Sequence, residues 1–94
     1  MSVIEVTTFR LTDGADEAAF LAADRFVQAE LGPRKGFLRR TTARRDGGDW
    51  LVVALWASAT DADASDQTAF EDSGATAFAD LVDAAETRRY QTIA

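Results

Sequence analysis

The stretch Trp50-Leu51-Val52-Val53-Ala54-Leu55-Trp56-Ala57 is apolar on both parities. A strand with one wet face alternates apolar and polar residues, so a strand without alternation belongs in the middle of a sheet with both faces covered. One parity carries Trp50, Val52, Ala54 and Trp56, the other Leu51, Val53 and Leu55. Asp46-Gly47-Gly48-Asp49, just before it, reads as a hairpin turn, because Asp and Gly tolerate the positive φ such turns need. Gly36 to Arg45 is then the partner strand of the hairpin.

The flanking segments supply a strand and a helix on each side. Val3 to Leu11 is rich in β-branched and aromatic residues and alternates imperfectly, a strand ended by Thr12-Asp13-Gly14. Asp16 is placed to cap a helix whose first turn holds Glu17, matched to the helix dipole. Phe20, Ala23, Val27 and Leu31 form one apolar stripe at spacings of three and four. Gly32-Pro33 ends it, with Gly32 suited to a left-handed cap. After the central strand, Ser58 or Thr60 caps a second helix with Asp61 and Asp63 in its first turn. Phe70, Ala77, Phe78, Leu81 and Ala85 give its stripe, and Ser73-Gly74 divides it, with Ser73 recapping the second piece. Arg88 to Ile93 reads as the last strand.

The order β-α-β-β-α-β is the ferredoxin-like split arrangement, an α+β fold with a four-stranded antiparallel sheet in one domain over residues 1–94. Helices cover one face of such a sheet. The central strand asks for cover on the other, and the chain has no element left to supply it. A second copy packed sheet to sheet is the economical answer. A chain of 94 residues buries only roughly 60–65% of its unfolded surface, which points the same way.

Composition removes several chemistries. There is no cysteine, hence no disulfide, thiolate catalysis or iron–sulfur site. There is no histidine, hence no Ser/His/Asp triad, and zinc lacks its usual ligands. No Gly-rich loop cradles phosphate. Asp61-x-Asp63-x-Ser65 starts like a calcium loop, but its sixth position is Asp66 where glycine is demanded, and its twelfth is Asp72 rather than glutamate. No metal site and no cofactor are expected. No apolar run approaches a membrane span, and the start of the chain lacks signal-peptide character, so a cytoplasmic protein without a membrane partner is expected.

The net charge of −6 argues against a nucleic-acid partner. The charge is uneven, however. Seven of the ten basic residues fall between Arg25 and Arg45, and only acids occur from Asp46 to Glu86. Two readings stay open: solvated faces, or a basic hairpin that meets an anionic ligand or a partner chain's acidic helix.

Pro33 followed by Gly36-Phe37-Leu38-Arg39-Arg40 resembles the start of the second strand in the dimeric α/β-barrel superfamily. Trp56-Ala57-Ser58 before an acidic, alanine-rich helix resembles that superfamily's W-x-S at the end of the third strand. The resemblance runs over nearly the whole chain, and the nearest branch is the antibiotic biosynthesis monooxygenase-like family. It implies a homodimer whose sheets form a barrel, with an apolar cleft between each sheet and its helices. For that cleft, Phe9, Phe37, Trp50, Phe70 and Phe78 are the candidate substrate-binding residues, and a small apolar or aromatic compound is the expected ligand.

Members of that superfamily include haem-degrading enzymes and cofactor-free oxygenases of polyketide quinols. The haem arrangement uses Asn, Trp and His, and this chain has neither asparagine nor histidine. The oxygenases resemble a chemistry that needs an apolar pocket, a group to stabilise a substrate anion and a base. They use Asn, Trp, Tyr and Arg. Here Trp56, Arg39 and Tyr90 stand as the candidate catalytic counterparts, with Trp50 a further tryptophan. Arg39 is expected on the same side as Phe37, where a fixed cation could hold a phenolate or carboxylate. The plainer readings are a core Trp56 at a dimer seam, a Tyr90 hydrogen bond on an edge strand, and an Arg39 salt bridge to an acidic helix. Two functions therefore stay open: a cofactor-independent monooxygenase, or a non-catalytic ligand-binding or accessory dimer.

Overall fold

A computed structural model describes residues 1–67 and 73–94. Its elements are β1 (Val3–Leu11), α1 (Glu17–Leu31), β2 (Phe37–Arg44), β3 (Asp49–Trp56), α2 (Ala59–Asp66), α3 (Ser73–Leu81) and β4 (Val82–Gln91). The four strands form one antiparallel sheet in the order β2-β3-β1-β4. The fold is ferredoxin-like, as the element order predicts, and β3 and β1 occupy the two central positions.

Local chemistry sets the boundaries. The Asp16 side chain accepts a hydrogen bond from the Ala18 amide and starts α1, and the Ser58 side chain accepts from the Asp61 amide and starts α2. The hairpin closes with Gly47 at φ 101° and Gly48 at φ 102°. Three details differ from expectation. Gly32 caps α1 in the right-handed region at φ −50°, and the left-handed glycine is Gly36 at φ 79°. The chain makes a further turn through Pro33 before it needs to reverse, with the Arg34 amide donating to Leu31 O and the Phe37 amide to Arg34 O. β4 begins at Val82, directly after α3, so Ala85 belongs to a strand and not to a helical stripe. A bulge opposite Phe9, with Ala84 at φ 53°, absorbs the early start of the strand.

The core lies between the sheet and the helices. Phe9, Phe20, Trp50 and Val52 form one cluster, and Val3, Val27, Leu31, Ala54, Trp56 and Ala62 another. Phe78 of α3 packs against both. The α1 stripe Phe20, Ala23, Val27 and Leu31 is buried as its spacing demands. On β3 only the even parity is buried within the chain, while Leu51, Val53 and Leu55 are half-exposed. With Ile4 and Val6 of β1 and the 52%-exposed Tyr90 of β4, they make an apolar strip across the open face of the sheet.

Candidate active-site cleft

Which side chains face the helices is fixed by strand register. Val3 pairs with Trp56, Glu5 with Ala54, Thr7 with Val52 and Phe9 with Trp50. On the other edge of β1, Glu5 pairs with Arg89 and Thr7 with Thr87. On β2 a shift between Phe37 and Arg39 reverses the alternation: Phe37 pairs with Trp56, but Arg39 pairs with Leu55 and Arg40 with Ala54. Leu38 is the extra residue of the bulge. Arg39 therefore faces the open side with Leu55, opposite to Phe37, and Arg40 takes the helix-facing position.

A cleft of about 420 Å³ opens between these rows and the helices. Its floor is Val52, Ala54 and Trp56 of β3 with Glu5 and Thr7 of β1, and Leu31 and Phe78 wall it from the helices. Arg34, Arg40, Ser65, Asp66 and Thr87 complete the lining. Larger hollows of about 540 and 510 Å³ sit at the hairpin end. Their rims are exposed charges already tied to one another, Arg10 and Arg45 to Asp49 and Arg44 to Glu17. Of the three, the cleft alone is lined by Trp56, whose side chain carries a buried donor that lacks an acceptor among the described residues.

That donor is the indole N–H of Trp56. The side chain is only 2% exposed, and its Nε1 has no hydrogen-bond partner among the described residues. Leaving an N–H both buried and unpaired costs about 1–3 kcal/mol, so its presence beside a cleft needs a reason. The Phe37 ring packs edge-on against Trp56 with centroids 5.4 Å apart.

Two arginines line the same space, and both are held. Arg40, with 5% of its side chain exposed, pairs with Asp24 of α1 at 2.8 Å and lies over the Phe78 ring at 5.8 Å. Thr42 Oγ1 donates to the same Asp24 carboxylate at 3.0 Å. Arg34 Nη1 donates to both the carbonyl and the hydroxyl of Ser65, at 2.8 and 2.9 Å. At the far side Arg89 of β4 bridges Glu5, Asp63 and Asp66 at 3.2, 2.7 and 3.3 Å. The Asp63 hydrogen bond foremost, and Glu5 after it, hold the Arg89 guanidinium above its ordinary pKa against the opposing effect of burial. The basic stretch from Arg25 to Arg45 thus finds acids of its own chain: Arg40 meets Asp24, and Arg44 meets Glu17.

Of the candidate catalytic residues, Trp56 lines the cleft. Arg39 and Tyr90 lie on the opposite face of the sheet, at the two ends of the row Arg39, Leu55, Ile4, Tyr90. One chain does not bring the three together. Trp56 is a core side chain, as its plainer reading has it, and it faces the helices rather than the open face of the sheet. Beside Tyr90, Arg88 is held above its usual pKa by hydrogen bonding to Tyr90 first and by the charge of Glu86 second.

Of the candidate substrate-binding residues, Phe78 lines the cleft and Phe37 backs Trp56. Phe9 and Trp50 belong to an aromatic cluster with Phe20, ring centroids 4.9–6.4 Å apart. They do not line the cleft; both line the hollow of about 540 Å³ at the hairpin end. Phe70 lies outside the described residues. Glu5, Thr7, Arg34 and Arg40 are not candidates from sequence, and Ser65 enters there only through the rejected calcium loop. Glu5 and Thr7 left a trace there, as the polar interruption in the covered parity Val3, Glu5, Thr7, Phe9, Leu11. Among the described residues no group of three His, Cys, Asp or Glu side chains is arranged to hold a metal, and no helix is long and apolar enough to cross a membrane.

No protein-family model matches the chain, and no curated protein matches it. Solved structures do. The chain is similar to SnoaB, a cofactor-independent oxygenase from Streptomyces nogalater, with 19% identity and a TM-score of 0.86 over 99% of this chain and 94% of that one. It is similar to a candidate antibiotic biosynthesis monooxygenase from Caulobacter crescentus, at 18% identity and a TM-score of 0.82 over 99% of this chain and 91% of that one. A dimeric ferredoxin-like protein of unknown function from Thermobifida fusca, 11% identical, matches with a TM-score of 0.79 over 98% of this chain and 92% of that one. At these identities the likeness establishes the fold, which this chain shares with the antibiotic biosynthesis monooxygenase-like proteins.

Proposed function

We propose that the chain is a homodimeric, cytoplasmic small-molecule-binding protein that acts as a cofactor-independent monooxygenase on an aromatic, polyketide-like compound held in the cleft. The observation that carries this reading is the Trp56 indole N–H, buried without a partner among the described residues on a side chain that lines the cleft. A carbonyl or phenolate oxygen of a flat ring system is the acceptor that fits it, and its hydrogen bond strengthens as the oxygen gains charge. Val52, Ala54, Leu31 and Phe78 supply the apolar surface such a ring system needs.

The chemistry closes without a cofactor because the substrate is the reductant. A ring CH2 next to a carbonyl loses a proton, and the resulting anion passes one electron to dioxygen. The radical pair combines into a C–O bond, giving a peroxide anion that is reprotonated to the hydroperoxide. Loss of the second C–H proton with hydroxide leaves a new carbonyl and one water. The protein contributes Trp56 to hold the anion and a pocket that shields it from water. Arg39 and Tyr90 belong, in this reading, to the seam where the open faces of two sheets pack.

A second reading has a specific support. Arg40 lines the cleft but is committed to Asp24, so its charge is already neutralised. That arrangement favours a dimer which binds a neutral aromatic compound without turning it over. Oxygen uptake with dithranol, a hydroxylated anthrone, separates the two. Oxygenation requires uptake above the protein-free rate that falls in a folded Trp56→Phe variant. Saturable binding with no uptake selects the second reading, and uptake untouched by Trp56→Phe removes the role given to the indole.

A further inference from the structure

We infer that Glu5 is the general base, the group that takes the substrate's proton in the oxygenation proposed above, and this inference rests on that reading.

The helix-covered face of a central strand is where apolar residues belong, and β1 obeys this at Val3 and Phe9. At its middle it places a carboxylate instead. Glu5 is in register with Ala54 on one side and Arg89 on the other, and it lines the cleft floor beside Ala54 and Trp56. Its side chain is only 15% exposed. A charge in that position costs desolvation, and departures of this kind from the local pattern concentrate at functional sites.

The carboxylate is paired through one oxygen, and the other is open. Arg89 Nη2 donates to Glu5 Oε2 at 3.2 Å and shares itself with Asp66 at 3.3 Å, while its Nη1 goes to Asp63 at 2.7 Å. Among the described residues, Glu5 Oε1 accepts no hydrogen bond. Arg89 engages Oε2, and the lone pairs of Oε1 remain for a proton.

The geometry relative to Trp56 suits the step. Trp56 lies two residues along β3 from Ala54, the register partner of Glu5, so the two are diagonal neighbours on one face. Such neighbours stand about 7–8 Å apart along the sheet, near enough for one bound ring system to touch both side chains. A substrate whose carbonyl oxygen accepts from Trp56 Nε1 then presents its ring CH2 toward Glu5. The C–H proton passes to Oε1, the electron pair stays on the ring as the anion, and Glu5 returns the proton to the peroxide anion formed with dioxygen. The cleft is therefore matched to a neutral keto-aromatic compound, with an acceptor at one end and an acidic C–H at the other. A carboxylate-bearing substrate would set two negative charges against each other at Glu5.

The test compares wild type, Glu5→Gln and Glu5→Asp, with oxygen uptake on dithranol and binding of the corresponding anthraquinone followed by fluorescence quenching. Glu5→Gln is expected to lose roughly 10²–10⁴-fold in kcat, the range for a missing general base, with quinone affinity unchanged. Glu5→Asp draws the carboxylate back by one methylene and is expected to lose about tenfold or more in kcat with KM held; it decides the matter if Glu5→Gln does not fold. Wild-type turnover with kcat unchanged in a folded Glu5 variant overturns the role of Glu5 and leaves the oxygenase reading standing. Wild-type uptake no faster than the protein-free solution overturns the oxygenase reading and the assignment that rests on it.

Discussion

Arg40 of β2 and Asp24 of α1 meet at 2.8 Å with 5% and 14% of their side chains exposed, which pins the first helix to the sheet behind the cleft wall. Thr42 donates to the same carboxylate. Removing the acid strands a buried guanidinium, a far costlier change than losing a surface pair. Asp24→Ala is expected to destabilise the fold by about 3 kcal/mol in chemical denaturation, and Arg40→Met with Asp24→Leu together by much less. A single-variant loss under about 1 kcal/mol would mark the pair as solvent-screened.

Trp56 separates packing from hydrogen bonding. Trp56→Ala empties a fully buried site and is expected to cost about 3–5 kcal/mol. Trp56→Phe keeps most of the ring surface and deletes an N–H that no described residue accepts. Its ligand-free melting temperature is expected to fall by less than that of Trp56→Ala, while the upward shift produced by a bound anthraquinone shrinks. An anthraquinone shift as large in Trp56→Phe as in wild type would mean that the indole nitrogen takes no part in binding.

Gly36 is where the chain enters β2, at φ 79°, and its carbonyl accepts from the Ala57 amide at 2.8 Å. A Cβ there collides with the Asp61 carboxylate as well as straining the backbone. Gly14, at φ 77°, has open space around it. Gly36→Ala is expected to cost about 2 kcal/mol and Gly14→Ala about 1 kcal/mol in thermal unfolding, and equal losses would assign the whole effect to torsion.

The residues that reported the fold in the sequence were those whose chemistry acts locally. Asp16 and Ser58 cap where their side chains reach the backbone, Gly47 and Gly48 turn because no Cβ forbids it, and the stripe from Phe20 to Leu31 repeats at the helical period. The cleft was less legible, because it depends on register. One extra residue at Leu38 exchanges Arg39 for Arg40, and nothing in Gly-Phe-Leu-Arg-Arg announces it. The left-handed glycine after α1 is Gly36 rather than the cap Gly32, and the last strand begins at Val82, for a similar reason: several conformations satisfy the same local sequence, and tertiary pairing chooses. Trp56 was visible as a candidate, but the face it takes is decided by strand pairing.

The open sheet face carries Ile4, Val6, Leu51, Val53, Leu55 and Tyr90. If two copies pack there, a charge at its centre is duplicated across the symmetry axis. Val53→Asp is expected to convert a dimer to a monomer in native mass spectrometry at unchanged concentration. A dimer that survives the substitution would place the interface elsewhere.

The most direct measurement is the mass of the product formed from dithranol by wild-type protein under isotopically heavy dioxygen. One heavy oxygen atom in the new carbonyl of the quinone, and one released as water, is the expected result of a substrate anion reacting with dioxygen in the cleft. A quinone formed without heavy oxygen, or no product beyond the protein-free control, contradicts the assignment as a monooxygenase.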